Sequence, residues 1–180
     1  VFAAFTYIAP ILTRITGFSD AAVSPILLVF GGGLIVGNLL GGRLADKRLV
    51  PALLGSLLAL SVVLIAMSFT LHNQVLTVIA IGLLGAAGFA TVPPLQTWVL
   101  EKAEGAGQSL ASGFNIAAFN LGNAIGAWLG GFVIDRGPGL GSVTLVAGFV
   151  PLLALAVALL ALRLERRKSY RAPAVVCPGE

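Results

Sequence analysis

Apolar residues run along this chain in long unbroken blocks, with the few charged residues set between the blocks and at the chain's ends. No Asp, Glu, Lys, Arg or His stands at the centre of any block. Residues 21–42, 49–69, 75–100, 110–134 and 143–162 each reach the roughly 20 residues that an α-helix needs to cross about 30 Å of hydrocarbon. Residues 1–15 read as a sixth span cut short, as though the sequence began inside a helix of a longer protein. The pattern predicts an all-α, polytopic membrane protein: a six-helix bundle over residues 1–163, followed by a basic tail at 164–180 that starts as a helix end, loses periodicity at Arg171 and is expected to be disordered.

The connections 16–21, 43–48, 70–74, 101–108 and 135–141 are too short to hold an extramembrane domain. Pro25 and Pro51 are placed in the first turns of their helices, where a missing N–H costs nothing. Pro10, Pro93, Pro94 and Pro151 lie deeper and predict bends or local breaks, which membrane helices tolerate when neighbours satisfy the freed carbonyls.

Composition removes the soluble alternatives. The chain is 58% hydrophobic and 10% charged, with mean hydropathy +1.02, whereas about a quarter of a soluble domain is charged. Its 23 glycines in 180 residues exceed the usual ~7% and fall mostly inside the apolar blocks, where small residues let helices approach closely. No basic lead-in marks a signal peptide. The one cysteine, Cys177, is in the tail, so neither disulfide nor thiol chemistry enters.

The net charge of +4 is topological and does not point to nucleic acid. With the 43–48 connection placed in the cytoplasm, that side receives Arg43, Lys47, Arg48, Lys102, Arg163, Arg166, Arg167, Lys168 and Arg171, and the other receives Arg14 and Arg136. This asymmetry fits the positive-inside rule and puts the C-terminus in the cytoplasm. The expected setting is the lipid bilayer of a cell inner (plasma) membrane, crossed several times.

A weak internal repeat divides the helices three and three. Gly37-Asn38-Leu-Leu-Gly41 returns as Gly122-Asn123-Ala-Ile-Gly126; each copy is followed by a Gly-Gly pair and then by Asp and a basic residue, Asp46-Lys47 and Asp135-Arg136. Pro10 matches Pro94. Because three is odd, the second unit must insert upside down relative to the first, the inverted-repeat plan of secondary transporters. Two glycine ladders, Gly33, Gly37 and Gly41 in the second helix and Gly122, Gly126 and Gly130 in the fifth, have the spacing of close helix packing. Helices touching through bare backbone can also rock with little steric cost.

Polar side chains within the spans are few: Tyr7, Asn38, Thr91, Gln96, Asn115, Asn120 and Asn123. They fall in the first, second, fourth and fifth helices, which suggests four helices lining a space and two peripheral ones. An interhelical hydrogen bond is the alternative reading for each. No cluster of ionisable or metal-binding groups supports an enzyme, a metal site or a cofactor. His72, in an outer connection, reads as solvated.

The sharpest local signal is Gly41-Gly42-Arg43-Leu44-Ala45-Asp46-Lys47-Arg48, read as a short turn in which Asp46 caps or faces a helix N-terminus while Arg43 and Arg48 bridge to acidic groups or lipid phosphates. The segment resembles the loop motif of the major facilitator superfamily in its second occurrence. Together with Phe5-Thr6-Tyr7-Ile8-Ala9-Pro10, Gly17-Phe18-Ser19 and the stretch from Asn120 to Gly131, it is similar to the C-terminal half of the drug:proton antiporter and arabinose-efflux branch, over about residues 1–163.

The resemblance implies a twelve-helix transporter whose two bundles rock about a central cavity, this chain supplying the second bundle and an N-terminal six-helix half being the missing partner. Tyr7, Asn38, Gln96, Asn115 and Asn123 are then the candidate lining of a substrate cavity, and Gly42, Arg43, Asp46, Lys47 and Arg48 the loop that steadies one conformational state. The implied activity is efflux of a small organic solute, sugar or drug in exchange for protons. No carboxylate or histidine lies within a span, so the proton carrier belongs to the other half or the protein is not proton-coupled. A symporter or uniporter of the same superfamily, and a six-helix assembly subunit that transports nothing, are the open alternatives.

Overall fold

Prolines decide where two of the spans break. Pro10 lacks the N–H that would bond the carbonyl of Thr6, and its ring crowds that carbonyl. The first span accordingly divides into α1 (Phe2–Phe5) and α2 (Ile8–Arg14), with Thr6 and Tyr7 between them. Ala90 stands in the same relation to Pro94: α5 (Gln74–Phe89) stops, Ala90 and Thr91 form a turn, and α6 (Val92–Lys102) continues the span. The computed structural model describes residues 1–103, 107–137 and 139–171, with side chains through Leu164. Part of the 101–108 connection, Pro138 and 172–180, the latter part of the tail expected to be disordered, lie outside the described residues.

After each broken helix comes a long glycine-bearing one, α3 (Asp20–Lys47) and α7 (Gln108–Arg136), and then a long apolar one, α4 (Leu49–Thr70) and α8 (Val143–Arg171). Both glycine helices end on the Asp-basic pair, Asp46-Lys47 in α3 and Asp135-Arg136 in α7. The order broken, glycine-rich, continuous thus occurs twice. Among the described residues no strand interrupts it, and five helical segments are long and apolar enough to cross a membrane.

Four expectations need correction. The 43–48 segment is not a turn: α3 stays helical through Lys47, and Arg48 alone, with extended backbone, joins it to α4. Pro25 is not in a first turn, because α3 begins at Asp20 and carries the proline inside it. Pro151 likewise lies within α8 without breaking it. The tail expected to be disordered from 164 is helical at its start, because α8 continues past Leu162 through the basic segment to Arg171.

The tightest packing joins α3 to α5. A Cβ on Gly33, Gly37 or Gly41 would overlap the carbonyl oxygens of Gly82, Ala86 and Ala90 respectively, and one on Gly85 would overlap that of Phe30. The two helices therefore meet backbone to backbone, as small-residue ladders permit. Ala90 offers the carbonyl that Pro94 cannot bond, and Gly41 covers it. Around this pair, Ile11, Leu12, Leu64, Met67, Ile81 and Leu84 form a core with almost no exposed surface. The helices expected to be peripheral, α4 and α8, pack on each other through Ser61, whose buried hydroxyl donates to the carbonyl of Gly148 at 2.6 Å.

The connections sort to the two ends of the bundle. Gln74 Nε2 donates to the Gly17 carbonyl at 3.4 Å, and Gly141 lies against Ile15. These contacts gather the 16–21, 70–74 and 135–141 connections at one end, with the Arg48 turn at the other.

Candidate cavity lining and the loop motif

Tyr7 stands at the first helix break, and its position follows from it. As the residue preceding α2 it leaves the helical path (φ −104°, ψ 12°), which turns its ring toward α7. Its hydroxyl donates to the Ala127 carbonyl at 2.9 Å. A Cβ on Gly130 would fall 2.5 Å from the ring, and one on Gly131 would fall 2.9 Å from the hydroxyl. The Gly-Gly pair of the fifth span thus makes room for one side chain of the first.

Beside Tyr7, a cleft of about 580 Å³ is lined also by Trp128, Gly131, Phe132, Asp135 and Arg136. Trp128 stacks on Phe132 with ring centroids 5.7 Å apart, and the Arg136 guanidinium lies 5.6 Å from the Phe132 centroid. Positions 128, 132 and 136 repeat every fourth residue and so share a face of α7. Trp128 is 67% exposed on it. Polarity within the spans does not mark this aromatic and cationic ladder; its four-residue spacing does.

Gln96 and Asn115 do meet. The Gln96 Oε1 accepts a hydrogen bond from Asn115 Nδ2, and its Nε2 donates to Ser112 Oγ at 2.8 Å. One amide thereby bridges α6 to two successive turns of α7, in the way a membrane amide must find partners. Asn38 is exposed on α3 and Asn123 half-buried on α7, and among the described residues neither side chain has a hydrogen-bond partner. The five expected lining residues therefore form one linked pair and three separate positions. Thr91, at the second break, is buried and returns its hydroxyl to the Gly88 carbonyl at 2.7 Å.

The second glycine ladder differs from the first. Gly122 faces open space, so it does not pack a helix within the described bundle. A Cβ on Gly126 would make a close contact, 3.4 Å, with the backbone of Ala3, and Gly130 serves the Tyr7 ring.

In the loop motif Arg43, Asp46, Lys47 and Arg48 are exposed, and a Cβ on Gly42 would meet nothing within 4 Å. Asp46 does not cap a helix: the residue preceding α4 is Arg48, and no side chain caps that N-terminus. Among the described residues the four charged side chains form no ion pair.

The sequence model of the Major Facilitator Superfamily matches residues 1–175. The chain belongs to this superfamily. It is 42% identical over 177 residues to the inner membrane transport protein YdhP of Escherichia coli K12, covering 98% of this chain and 43% of YdhP. It is 38% identical over 137 residues to the MFS-type transporter YtbD of Bacillus subtilis, 74% of this chain and 35% of YtbD. With the chloramphenicol resistance protein of Streptomyces lividans it shares 37% over 127 residues, 69% of this chain and 32% of that protein. The chain spans less than half the length of these curated relatives. No solved structure matches it. The segment expected to be the superfamily's loop motif is here the end of α3 followed by Arg48, with its charged side chains exposed.

Proposed function

We propose that this chain is the C-terminal six-helix half of a secondary active transporter of the inner membrane, which exports a small organic solute in exchange for protons by alternating access. The observation that carries the reading is the pair of breaks, Thr6-Tyr7 and Ala90-Thr91, at matching positions of the two repeat units and each just ahead of a proline. Interrupted helices in corresponding positions of a repeat are where such proteins place their binding sites. Here the breaks leave Tyr7 beside an open aromatic cleft and set Gln96 one turn beyond the second.

Efflux is supported by the chloramphenicol resistance protein among the relatives, and transport at the inner membrane by the match to YdhP over nearly the whole chain. Alternating access is supported by α3 and α5, which meet through glycine backbone and carry few side chains that would resist sliding. The proton carrier lies in the N-terminal half, since no carboxylate or histidine occupies the middle of a span here. Arg43, Lys47 and Arg48 mark the cytoplasmic end, and the C-terminus lies on that side.

The test is accumulation of radiolabelled chloramphenicol and other small organic solutes in an efflux-deficient bacterial strain expressing the full-length protein. Lowered accumulation that a protonophore restores supports the reading. Accumulation raised above the empty-vector level assigns uptake, and no change for any solute removes the transport reading.

A further inference from the structure

We infer that the cleft between α3, α4 and α5 is a binding site for an anionic phospholipid, with an acyl chain in the groove and the headgroup phosphate at Lys47 and Arg48. The cleft has a volume of about 610 Å³ and opens on the outer surface of the bundle, where Leu40, Leu44 and Leu83 are exposed along it. That volume is within the roughly 300–1,000 Å³ of pockets that enclose small molecules. From Lys47 back to Gly37 the groove follows α3 for about 15 Å, at about 1.5 Å per residue.

Its shape is set by small residues, of which Gly55 packs against nothing. Ala52, Gly55, Ser56 and Ala59 share one face of α4 and line the cleft. In membrane helices small residues ordinarily serve close contact with a neighbour, and in α3 they do so against α5. Gly55 does not: a Cβ there would meet nothing within 4 Å. With α3 drawn onto α5 by its glycines, and α4 leaving from the single-residue turn at Arg48, the small face of α4 holds a groove open.

The chemistry at the mouth selects the occupant. The walls are apolar, while Lys47 and Arg48 line the end where α3 stops and α4 starts. Among the described residues neither cation has a partner, and Arg43 adds a third positive charge that outweighs exposed Asp46. The first turn of α4 is capped by no side chain, so its leading N–H groups remain open to an anion. An apolar groove closed at one end by cations and a helix N-terminus matches a lipid that carries net negative charge. The inference does not rest on the transport reading.

The experiment is native mass spectrometry of the full-length protein in detergent, titrated with palmitoyl-oleoyl phosphatidylglycerol or with the phosphatidylcholine of the same chains. The expected result is tighter retention of phosphatidylglycerol, weakened about ten-fold by the double variant Lys47→Gln/Arg48→Gln, with phosphatidylcholine unmoved. Gly55→Phe, whose Cβ meets nothing within 4 Å and whose ring would occupy the groove, should reduce retention as well and supplies a second reading if the charge variant folds poorly. Equal retention of the two lipids, an unchanged double variant, or the same loss from the remote Arg163→Gln would overturn the assignment. So would unaltered lipid retention in Gly55→Phe accompanied by lost transport, which would give the cleft to the transported solute.

Discussion

The hydroxyl of Tyr7 donates to the carbonyl oxygen of Ala127 at 2.9 Å, tying the break in the first span to the middle of α7. The bond crosses from one repeat unit to the other. Tyr7→Phe keeps the ring on Gly130 and removes the bond, so it should cost about 0.6–1 kcal/mol of stability in detergent. Tyr7→Ala also empties the space that Gly130 and Gly131 leave for the ring and should cost about 3–5 kcal/mol. Thermal unfolding in detergent separates the two, and equal losses would mean that the ring contributes nothing.

Glycine substitutions should change sign between faces of α3. At Gly31, where a Cβ meets nothing within 4 Å, alanine should stabilise by about 0.5–1 kcal/mol, the usual helix-propensity gain. At Gly37 the same methyl would overlap the Ala86 carbonyl, so alanine should destabilise despite its propensity. Gly122→Leu should fold normally as far as this bundle is concerned. Melting temperatures of the three variants check the ordering, and a stabilised Gly37→Ala would refute backbone contact between α3 and α5.

What the sequence made readable was whatever depends on spacing along one helix. The spans, the two three-helix units and the small face of α3 all follow from periodicity, and the breaks follow from Pro10 and Pro94. Partnerships across helices were not readable. Gly33, Gly37 and Gly41 look the same on paper as Gly122, Gly126 and Gly130, yet the first set meets α5 while Gly122 meets nothing. The difference lies in which helix comes alongside, and that depends on the whole bundle. Asn38, Asn123 and Gln96 are likewise equivalent as intramembrane amides, and packing gives hydrogen-bond partners to Gln96 alone of the three. The loop motif misled for a local reason: Arg43 to Lys47 are all compatible with a helix, so α3 had no cause to stop before Arg48.

The amide bridge between α6 and α7 should behave as a coupled unit. Gln96→Ala strips partners from both Asn115 and Ser112, whereas Asn115→Ala removes one contact. A double-mutant cycle in detergent should return a coupling of about 0.6–1.7 kcal/mol, the range of membrane hydrogen bonds. Additive losses would show that the two side chains act independently.

Topology can be read by chemistry at the helix ends. Cysteines placed at Lys47 and Lys102 in a Cys177→Ser background should react with impermeant maleimide from the same side, and one at Arg136 from the opposite side. Labelling of intact cells and inverted vesicles decides this. Lys47 and Lys102 appearing on different faces would contradict the helix count between them.

Asp46 and Asp135 close their glycine helices in matching positions, and both are exposed with no hydrogen-bond or ion-pair partner among the described residues. Asp135 lines the aromatic cleft with Tyr7 and Arg136, whereas Asp46 belongs to the loop motif. An unpaired carboxylate at a fixed place in a loop motif is explained if its partner belongs to the other six-helix half and is engaged in one conformational state. Asp46→Asn keeps the shape and removes the charge, so insertion and folding should be normal. A coupling of about 1–3 kcal/mol between that contact and the state it holds corresponds to about a five-fold or larger change in transport rate. Initial efflux rates from inverted vesicles, normalised to membrane abundance, measure it. Wild-type rates in Asp46→Asn would place the carboxylate among ordinary surface charges and leave the loop without a conformational role.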